Sequence, residues 1–295
     1  MLEHLNKTPT NPMRVVVLGG TGFVGRHAVA ALKRRDVSVV PLGSGDIDLL
    51  ADDAGMRLAK TLRASDTLLV VSAIAPCKTS ADLARNVAMM AQVCGALESQ
   101  PVAHVIYISS DAVYEDDANP INERTPTTPA SLHGHMHVVR EGMLRATVRA
   151  PLAILRPSLL YGVDDPHNGY GPNRFRRLAA KGQPIVLFGN GEERRDHVLI
   201  DDVGEIVALV ATHRCRGTLN IATGRVMSFR EIAETVAGHC SHAVEIRPTP
   251  RQGPMPHGGF RAFDIADCLK AFPAFHFTGP REGLAIVRQR MTEAC

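Results

Sequence analysis

The chain has 295 residues, of which 45% are hydrophobic and 21% charged, and its formal net charge at pH 7 is +3. A chain of this length buries a full core without disulfides, and this composition is typical of an ordinary globular protein. The basic residues are dispersed, which argues against a nucleic-acid partner, and no run approaches the roughly 20 apolar residues of a membrane-spanning helix. Residues 1–12, MLEHLNKTPTNP, are too polar for a signal peptide and are predicted to form a short flexible leader.

The first predicted unit is a strand, a glycine-rich turn and a helix. Residues 13–18, MRVVVL, are an apolar, β-branched run typical of a buried strand, and the helical pattern HAVAALKRR follows the turn. Gly19, Gly22 and Gly25 between them allow a tight turn, a close approach of backbone to a pyrophosphate, and close packing of helix on strand. The phosphates would lie at the helix N-terminus. The predicted dinucleotide contacts here are Gly19, Gly22, Phe23, Val24 and Gly25.

The second predicted strand, residues 37–42, bears on the choice of cofactor. It ends at Gly43-Ser44-Gly45, where an NAD site usually places a carboxylate for the ribose 2′-hydroxyl. The next carboxylates, Asp46 and Asp48, come a few residues later, and Asp48-Leu49 suits a contact with the adenine edge. Two arginines of the first helix could reach a 2′-phosphate or simply face solvent: Arg26 and Arg35. The cofactor is therefore predicted to be NAD or NADP, and Ser44, Asp48 and Leu49 are predicted to contact it.

Further strands alternate with helices along the chain. Buried strands are predicted at residues 67–72 and 104–109, separated by a helix over 83–97. This alternation predicts an α/β protein with a doubly wound parallel sheet of the Rossmann type and a ligand at the carboxyl ends of the strands. From Gly169 onward the pattern changes to short elements rich in Arg, Pro and Gly, which indicates a second, smaller lobe.

Several motifs in this order resemble the extended short-chain dehydrogenase/reductases of the nucleotide-sugar epimerase/dehydratase family. The matching segments are TGFVG, Ser72-Ala73-Ile74-Ala75, Asn86, SSDAVY at 109–114, LRP at 155–157, Tyr161-Gly162, NRF at 173–175, GNG at 189–191, RDHVLIDDV at 195–203 and LNIA at 219–222. The resemblance runs from about residue 13 to about residue 287. It implies a nicotinamide dinucleotide cofactor, a nucleotide-diphosphate sugar or similar substrate, and a homodimer formed by the helices that carry Asn86 and His137.

The resemblance also implies a division of the chain into two lobes. Residues 13–168 would form the dinucleotide-binding domain, rejoined by about 196–215. The substrate-binding lobe, α/β and C-terminal, would comprise 169–195 and 216–295. Further cofactor contacts implied by the resemblance are Ser72, Ala73, His137 and Pro157.

The stretch SLHGHMHVVRE, residues 131–141, covers the family's catalytic motif. The family pattern is Ser-x-Tyr-Gly-x-Ser-Lys-x-x-x-Glu, and Ser131, Gly134 and Glu141 match it. This register places His133 at the catalytic tyrosine and His137 at the lysine. The usual Tyr-x-x-x-Lys pair is thus predicted to be His-x-x-x-His.

This double replacement is chemically coherent. A tyrosine must have its pKa lowered from about 10 to act as a base, whereas an imidazole has a pKa of about 6.5 without help. A cation at position 137 would make His133 a weaker base, while a neutral His137 could still bond the ribose hydroxyls. We therefore expect His133 to be the general acid/base, and the resemblance implies that Ser110 hydrogen-bonds the reacting oxygen.

Other readings of the histidines stay open. The pair could hold a metal, although no third ligand is evident and the six cysteines have no metal-site spacing, so we predict no metal. The site could bind a nucleotide or sugar nucleotide without redox turnover, or His133 could serve non-redox chemistry.

Asp111 stands where dehydratases carry an acid, but Ala112 replaces their glutamate, which favours epimerisation or ketone reduction. The cysteine usage favours a reducing cytoplasm.

The resemblance assigns substrate contacts in the second lobe. Asn173 and Arg195 lie where the family binds the substrate diphosphate, and Arg251 lies near a second phosphate-binding arginine. Arginine suits this role because its planar fork can bond two phosphate oxygens. Asp201-Asp202 is predicted to cap the N-terminus of a helix over 203–211.

Overall fold

A computed structural model gives the fold of residues 2–293. The strands are β1 Val15–Leu18, β2 Val39–Leu42, β3 Thr67–Val70, β4 His104–Ile108, β5 Leu152–Pro157, β6 Leu159–Tyr161, β7 Ile185–Phe188, β8 Arg194–Leu199, β9 Gly217–Ile221, β10 Val226–Ser228, β11 Ile246–Thr249 and β12 Phe260–Arg261. The helices are α1 Phe23–Lys33, α2 Ala54–Thr61, α3 Ser80–Ser99, α4 Leu132–Thr147, α5 Pro172–Ala180, α6 Ile200–Thr212, α7 Phe229–Gly238, α8 Ala266–Ala271 and α9 Pro280–Glu293. Short 3₁₀ turns follow β4 at Asp111–Val113 and precede β12 at Pro256–Gly259.

The large sheet is parallel, with strand order β2-β1-β3-β4-β5-β9. Its inner strands are runs of Val, Leu and Ile that are buried on both faces, as parallel sheets require. Helices α1 and α6 share an apolar cluster with one face, while α2, α3 and α4 cover the other. The order reverses between β1 and β3, which makes the sheet doubly wound and confirms the predicted Rossmann-type fold.

The second lobe is built around β8. This strand pairs with three others, β10, β12 and β6. A separate two-stranded parallel sheet is formed by β7 and β11. Its apolar core comes from α5, α7 and α9 as well as the strands, with Phe175, Phe229 and Leu284 among the buried side chains. The lobe therefore has its own core, set against the carboxyl ends of the large sheet.

Two strands, β6 and β9, each belong to the lobe opposite to the one expected from the sequence. β9 falls within the range expected for the substrate lobe, yet it pairs with β5 as the last strand of the large sheet. β6 falls within the expected dinucleotide domain, yet it pairs with β8. The chain thus leaves the large sheet at about residue 158, returns to it with α6 at residue 200, and leaves it again after residue 221.

The leader is not free of the protein, which differs from the flexible segment expected. Glu3 exchanges backbone hydrogen bonds with Arg216, and Asn6 and Thr10 donate to carbonyls at the end of α6. The His4 ring stacks on Phe272 with their centroids 5.0 Å apart. The polar composition of the leader did not predict this packing, because the contacts are mostly hydrogen bonds between backbone groups.

The predicted capping role of Asp201-Asp202 is wrong. Helix α6 begins at Ile200, so both carboxylates lie in its first turn, and the preceding Leu199 makes no side-chain cap. Asp202 instead accepts from the backbone and hydroxyl of Thr278, and Asp201 pairs with Arg290 of α9. These carboxylates tie α6 to the C-terminal segment.

Candidate functional site

A cavity of about 1220 Å³ lies at the carboxyl ends of the large sheet, between the two lobes. This is where ligands bind in open α/β sheets. Most of the predicted site residues line it, namely Gly19, Gly22, Phe23, Val24, Ser44, Asp48, Leu49, Ser72, Ala73, Ser110, Asp111, His133, His137, Pro157, Asn173 and Arg195. Of the predicted set, Gly25 and Arg251 do not line the cavity.

The glycine turn between β1 and α1 is closed by backbone contacts. Gly19 has φ of +83°, a conformation that side chains disfavour, and Gly22 is the N-cap of α1. A Cβ atom at Gly25 would lie 2.0 Å from the carbonyl oxygen of Gly19. Gly25 therefore acts behind the cavity wall, by letting the helix lie directly on the turn.

The end of β2 offers no free carboxylate in the position usual for NAD. Asp46 accepts a hydrogen bond from the backbone N–H of Gly43 over 2.8 Å, and Asp48 accepts from Leu50 over 3.0 Å. Both carboxylates are thus held by their own loop. Ser44 lies beside them in the sequence and lines the cavity.

Helix α4 is anchored at both ends of the histidine stretch. Ser131 caps it by accepting from the N–H of Gly134, and a Cβ atom at Gly134 would lie 2.0 Å from the carbonyl oxygen of Ala112. Further along, Glu141 is buried and bonded to the guanidinium of Arg156 over 2.9 and 2.6 Å. Such a charged, bidentate pair restricts the rotation of the helix.

His133 and His137 lie one turn apart on α4, and both line the cavity. Their ring centroids are 4.9 Å apart and the rings meet edge to face. Burial lowers the pKa of His133 from 6.5, and burial together with the charges of His133 and Arg140 lowers the pKa of His137 well below 6.5. Both rings are therefore neutral at pH 7.

A hydrogen bond assigns the tautomer of His133, and another fixes the position of the His137 ring. The backbone N–H of Cys77 donates to Nδ1 of His133 over 3.3 Å, so that nitrogen carries the lone pair and Nε2 the proton. Nδ1 of His137 lies 2.8 Å from the hydroxyl of Tyr107. Burial raises the pKa of this phenol, so it keeps its proton and can donate to the ring. Nε2 of His133 is therefore a hydrogen-bond donor, and Nε2 of His137 is a donor when the phenol donates to Nδ1 and an acceptor when Nδ1–H donates to the phenol oxygen.

Ser110 and Asp111 follow β4 and belong to a charged cluster. Ser110 Oγ accepts from the N–H of Ala112 and lies 3.4 Å from Asp111 Oδ1, to which it donates. Nε of Arg261 donates to Asp111 Oδ2 over 3.2 Å, and Nη2 of Arg195 lies 4.0 Å from the same oxygen. One carboxylate thus orients two guanidinium groups at the wall of the cavity.

Arg261 was missed by sequence reasoning, which named Arg251 instead. Arg251 lies off the cavity, with Nη1 at 3.8 Å from Glu193 and Nη2 donating to the carbonyl of Phe188. Arg261 lies on a strand of two residues, which is too short to show the alternation of apolar and polar residues that predicts a strand. Only the pairing of β12 with β8 reveals it, because the register places Arg261 opposite Arg195.

Two more histidines of the cavity wall were not predicted as site residues, although His197 lies in the matching segment RDHVLIDDV. Burial, followed by the charge of Arg195, lowers the pKa of His197 to about 3 and that of His257 to about 4. Nδ1 of His257 lies 2.9 Å from Asp116 and 3.0 Å from Nη1 of Arg261. Both are held neutral by burial and by the neighbouring guanidinium groups.

Asn173 lines the cavity, but its amide is bonded to protein. Its Oδ1 accepts from the N–H of Gly162 over 3.2 Å, and its Nδ2 donates to Asp165 over 2.7 Å. Asp165 itself lines the cavity. In the structure Asn173 therefore holds the loop after β6 in place.

Within residues 2–293, no three His, Cys, Asp or Glu side chains come close enough together to hold a metal ion. Over the same residues, no helix has both the length and the apolar character needed to cross a membrane.

Comparisons with known proteins agree with the fold. The model of the "NAD dependent epimerase/dehydratase family" matches residues 15–222. A Methanocaldococcus jannaschii protein named "Putative UDP-glucose 4-epimerase" is 26% identical over 265 residues, which cover 81% of this chain and 87% of that protein.

Two solved structures are similar over almost the whole chain. The UDP-glucose 4-epimerase of Thermus thermophilus in complex with NAD has a TM-score of 0.83 at 23% identity, over 96% of this chain and 100% of that one. GDP-L-fucose synthetase of Naegleria fowleri bound to NADP has a TM-score of 0.81 at 16% identity, over 99% and 97%. At these identities the likeness supports the fold.

Proposed function

Because the chain belongs to the NAD-dependent epimerase/dehydratase family, we propose that it binds a nicotinamide dinucleotide and a nucleotide-diphosphate sugar in the cavity. The reaction is hydride transfer between them, as an epimerisation or a ketone reduction, with His133 as acid/base. The observation that carries this proposal is that His133 and Ser110 line one cavity with the glycine turn. The inter-lobe position of that cavity suits two ligands that meet end to end.

The residues present fit the cofactor. The turn at Gly19 and Gly22 presents backbone to the cavity at the N-terminus of α1, which suits a pyrophosphate. The buried hydroxyl of Ser72, also in the wall, has no hydrogen-bond partner among the described residues. When bound, a nicotinamide accepts or supplies a hydride. His137, which is neutral, would bond the ribose hydroxyls beside it.

His133 would exchange the proton of the reacting substrate oxygen, and Ser110 would hydrogen-bond that oxygen. As a base, the ring must accept at Nε2, which moves its own proton to Nδ1 and gives up the bond from Cys77. A hydrogen bond contributes about 1 kcal/mol to stability, so this switch costs about five-fold in rate. The cost is well below the hundred-fold or more that general acid/base catalysis contributes.

The substrate diphosphate would bind Arg195, whose guanidinium is oriented by Glu193 at 3.2 Å and Asp111 at 4.0 Å. Asn173 would act through the loop it holds. We also propose a homodimer through α3 and α4, where Val139 is exposed on α4, and a cytoplasmic location, since the described cysteines are free.

One observation favours a second candidate function, a sugar-nucleotide binding protein without turnover. The bond from Cys77 holds His133 in the tautomer that cannot accept a proton at Nε2. Such a ring binds a ligand oxygen but performs no acid/base step. The same cavity would then serve recognition alone.

A single-turnover assay separates the two candidates. Nicotinamide absorbance is followed after mixing enzyme, dinucleotide and a panel of nucleotide sugars, for wild type, His133→Phe and the matched control His135→Phe on the exposed face of α4. Catalysis by His133 predicts a rate that falls as the pH drops through the pKa of His133, which burial places below 6.5, and that drops about hundred-fold or more in His133→Phe. Tight sugar-nucleotide binding with equal, background rates in all three proteins would favour the binding protein instead.

A further inference from the structure

Arg140 lies on α4 one turn after His137 and is fully buried. Nη2 donates to the carbonyl oxygen of Ser72 over 2.6 Å, and Nη1 donates to Asn86 Oδ1 over 3.2 Å. The guanidinium carbon lies 5.4 Å from the centre of the Tyr107 ring. These neutral groups solvate the cation in part.

No carboxylate among residues 2–293 pairs with Arg140, whereas the other large buried guanidinium groups are paired. Arg156 bonds Glu141, and Arg261 bonds Asp111. Glu141, although next to Arg140 in sequence, is occupied by Arg156, Arg145 and a serine hydroxyl. A guanidinium cannot lose its charge in a protein, so Arg140 is an unneutralised buried cation.

Such a charge is costly to bury, and its field is weakly screened. A cation of this kind is commonly found where the charge has a function. Its field reaches the cavity directly, because Ser72 accepts from Arg140 and lines the cavity. A second link runs through Tyr107, whose ring faces the guanidinium and whose hydroxyl bonds His137.

We propose that Arg140 supplies the reactive end with a positive charge that no carboxylate of the described residues neutralises, and that it favours the reduced over the oxidised dinucleotide. This inference rests on the proposed function, in which the nicotinamide lies beside His137. The oxidised nicotinamide ring is a cation and the reduced ring is neutral. A buried cation behind the wall therefore repels only the oxidised form.

The test is the ratio of the dissociation constants of NAD⁺ and NADH, measured by calorimetry without substrate. Arg140→Gln keeps an N–H donor for Ser72 but removes the charge, and Arg140→Lys keeps the charge. For charges about 10 Å apart at an effective dielectric of about 20, removal shifts the ratio by roughly ten-fold toward NAD⁺. The Lys variant should stay within about three-fold of wild type, and so should Arg145→Gln, which removes an outer charge from the same helix.

Wild type should bind NADH more tightly than NAD⁺, and the opposite order would overturn the inference. An unchanged ratio in Arg140→Gln would also overturn it. If that variant does not fold, Arg140→Met, which keeps apolar volume, takes its place. Failure of wild type to bind either dinucleotide would contradict the proposed function itself, whereas binding with an unaltered ratio contradicts only the role of Arg140.

Discussion

The two ends of the cavity are built from different material. At the dinucleotide end the wall is largely backbone, with Gly19 and Gly22 exposed to the cavity and Gly25 packed behind them. At the reactive end the wall is made of titratable side chains held by other side chains, as His137 with Tyr107 and Asp111 with Arg261 illustrate. A backbone wall tolerates no added Cβ but is indifferent to pH, whereas a side-chain wall depends on distant partners and on protonation.

The largest effect on dinucleotide affinity should come from one methyl group at the backbone-built end. In Gly25→Ala the new Cβ would lie 2.0 Å from the carbonyl oxygen of Gly19, so the helix must move off the turn. We expect dinucleotide affinity to fall by about a hundred-fold or more and stability by about 1–3 kcal/mol. Calorimetric titration with NADH and a thermal melt measure the two effects.

Gly95→Ala is the matched control, since nothing lies within 4 Å of a Cβ atom at that helical glycine. It should leave affinity unchanged and raise stability by about 0.5–1 kcal/mol. Full NADH affinity in Gly25→Ala would show that the turn does not form the cofactor site.

At the side-chain-built end, removal of one charge should weaken the fold but spare the dinucleotide. Asp111 is buried against Arg261 at 3.2 Å, and Asp111→Asn leaves that guanidinium without its counter-ion. Breaking a buried pair costs about 3–5 kcal/mol, to be read from urea unfolding. Asp116→Asn, at an exposed carboxylate, should cost less than about 1 kcal/mol. Equal losses in the two variants would mean that the Asp111 pair is not a buried one.

The contrast between the backbone-built and the side-chain-built end also explains which features could be predicted from the sequence. Strand β1, the glycine turn and α1 are encoded by neighbouring residues, so their order and role could be read directly. The position of His133 followed from Ser131 and Gly134, both of which have local structural reasons: a cap and a close approach to Ala112. Local signals therefore sufficed for the fold and for the glycine turn, whereas Ser72, Asn173 and Arg195 were implied by the family resemblance.

Features that depend on long-range pairing were not predictable. Arg261 reaches the site only because β12 pairs with β8, and Arg251, ten residues earlier, is drawn instead to Glu193. Asp202 looked like a helix cap, yet its partner is Thr278, far along the chain. Neither hydrophobic periodicity nor a sequence motif indicates which distant strand or loop a side chain will contact.

Acid should weaken the protein through the side-chain-built end. Burial lowers the pKa of His197 to about 3, against 6.5 in an unfolded chain. Its contribution is thus fully present above pH 6.5 and is lost as pH falls toward 3, because the unfolded state binds the proton first. Between pH 7.5 and pH 5 this group should cost about 1–2 kcal/mol of stability.

Urea unfolding of wild type and His197→Gln at both pH values isolates this contribution, because other titrating groups are common to the two proteins. The loss on acidification should be smaller in the variant. His135→Gln, at an exposed position of α4, controls for the removal of one histidine. Identical pH dependence in wild type and His197→Gln would contradict the neutral, buried state of that ring.

The smallest effect concerns the choice between NAD and NADP at the backbone-built end. A carboxylate after β2 normally bonds the ribose 2′-hydroxyl and repels a 2′-phosphate. Here Asp46 and Asp48 each accept from a backbone N–H of their own loop, so Asp48, which lines the wall beside Gly43 and Ser44, has its Oδ1 already bonded to Leu50. Neither cofactor is selected by charge, so calorimetry should give dissociation constants for NADH and NADPH within about ten-fold of each other.

Ser44→Asp should weaken NADPH by about ten-fold or more and spare NADH, since one added anion near a phosphate costs on the order of 1–2 kcal/mol at a protein surface. Ser44→Asn, of the same shape without the charge, should leave both affinities as they are. A wild-type preference above about a hundred-fold for either cofactor would mean that another group, outside this loop, reads the 2′ position.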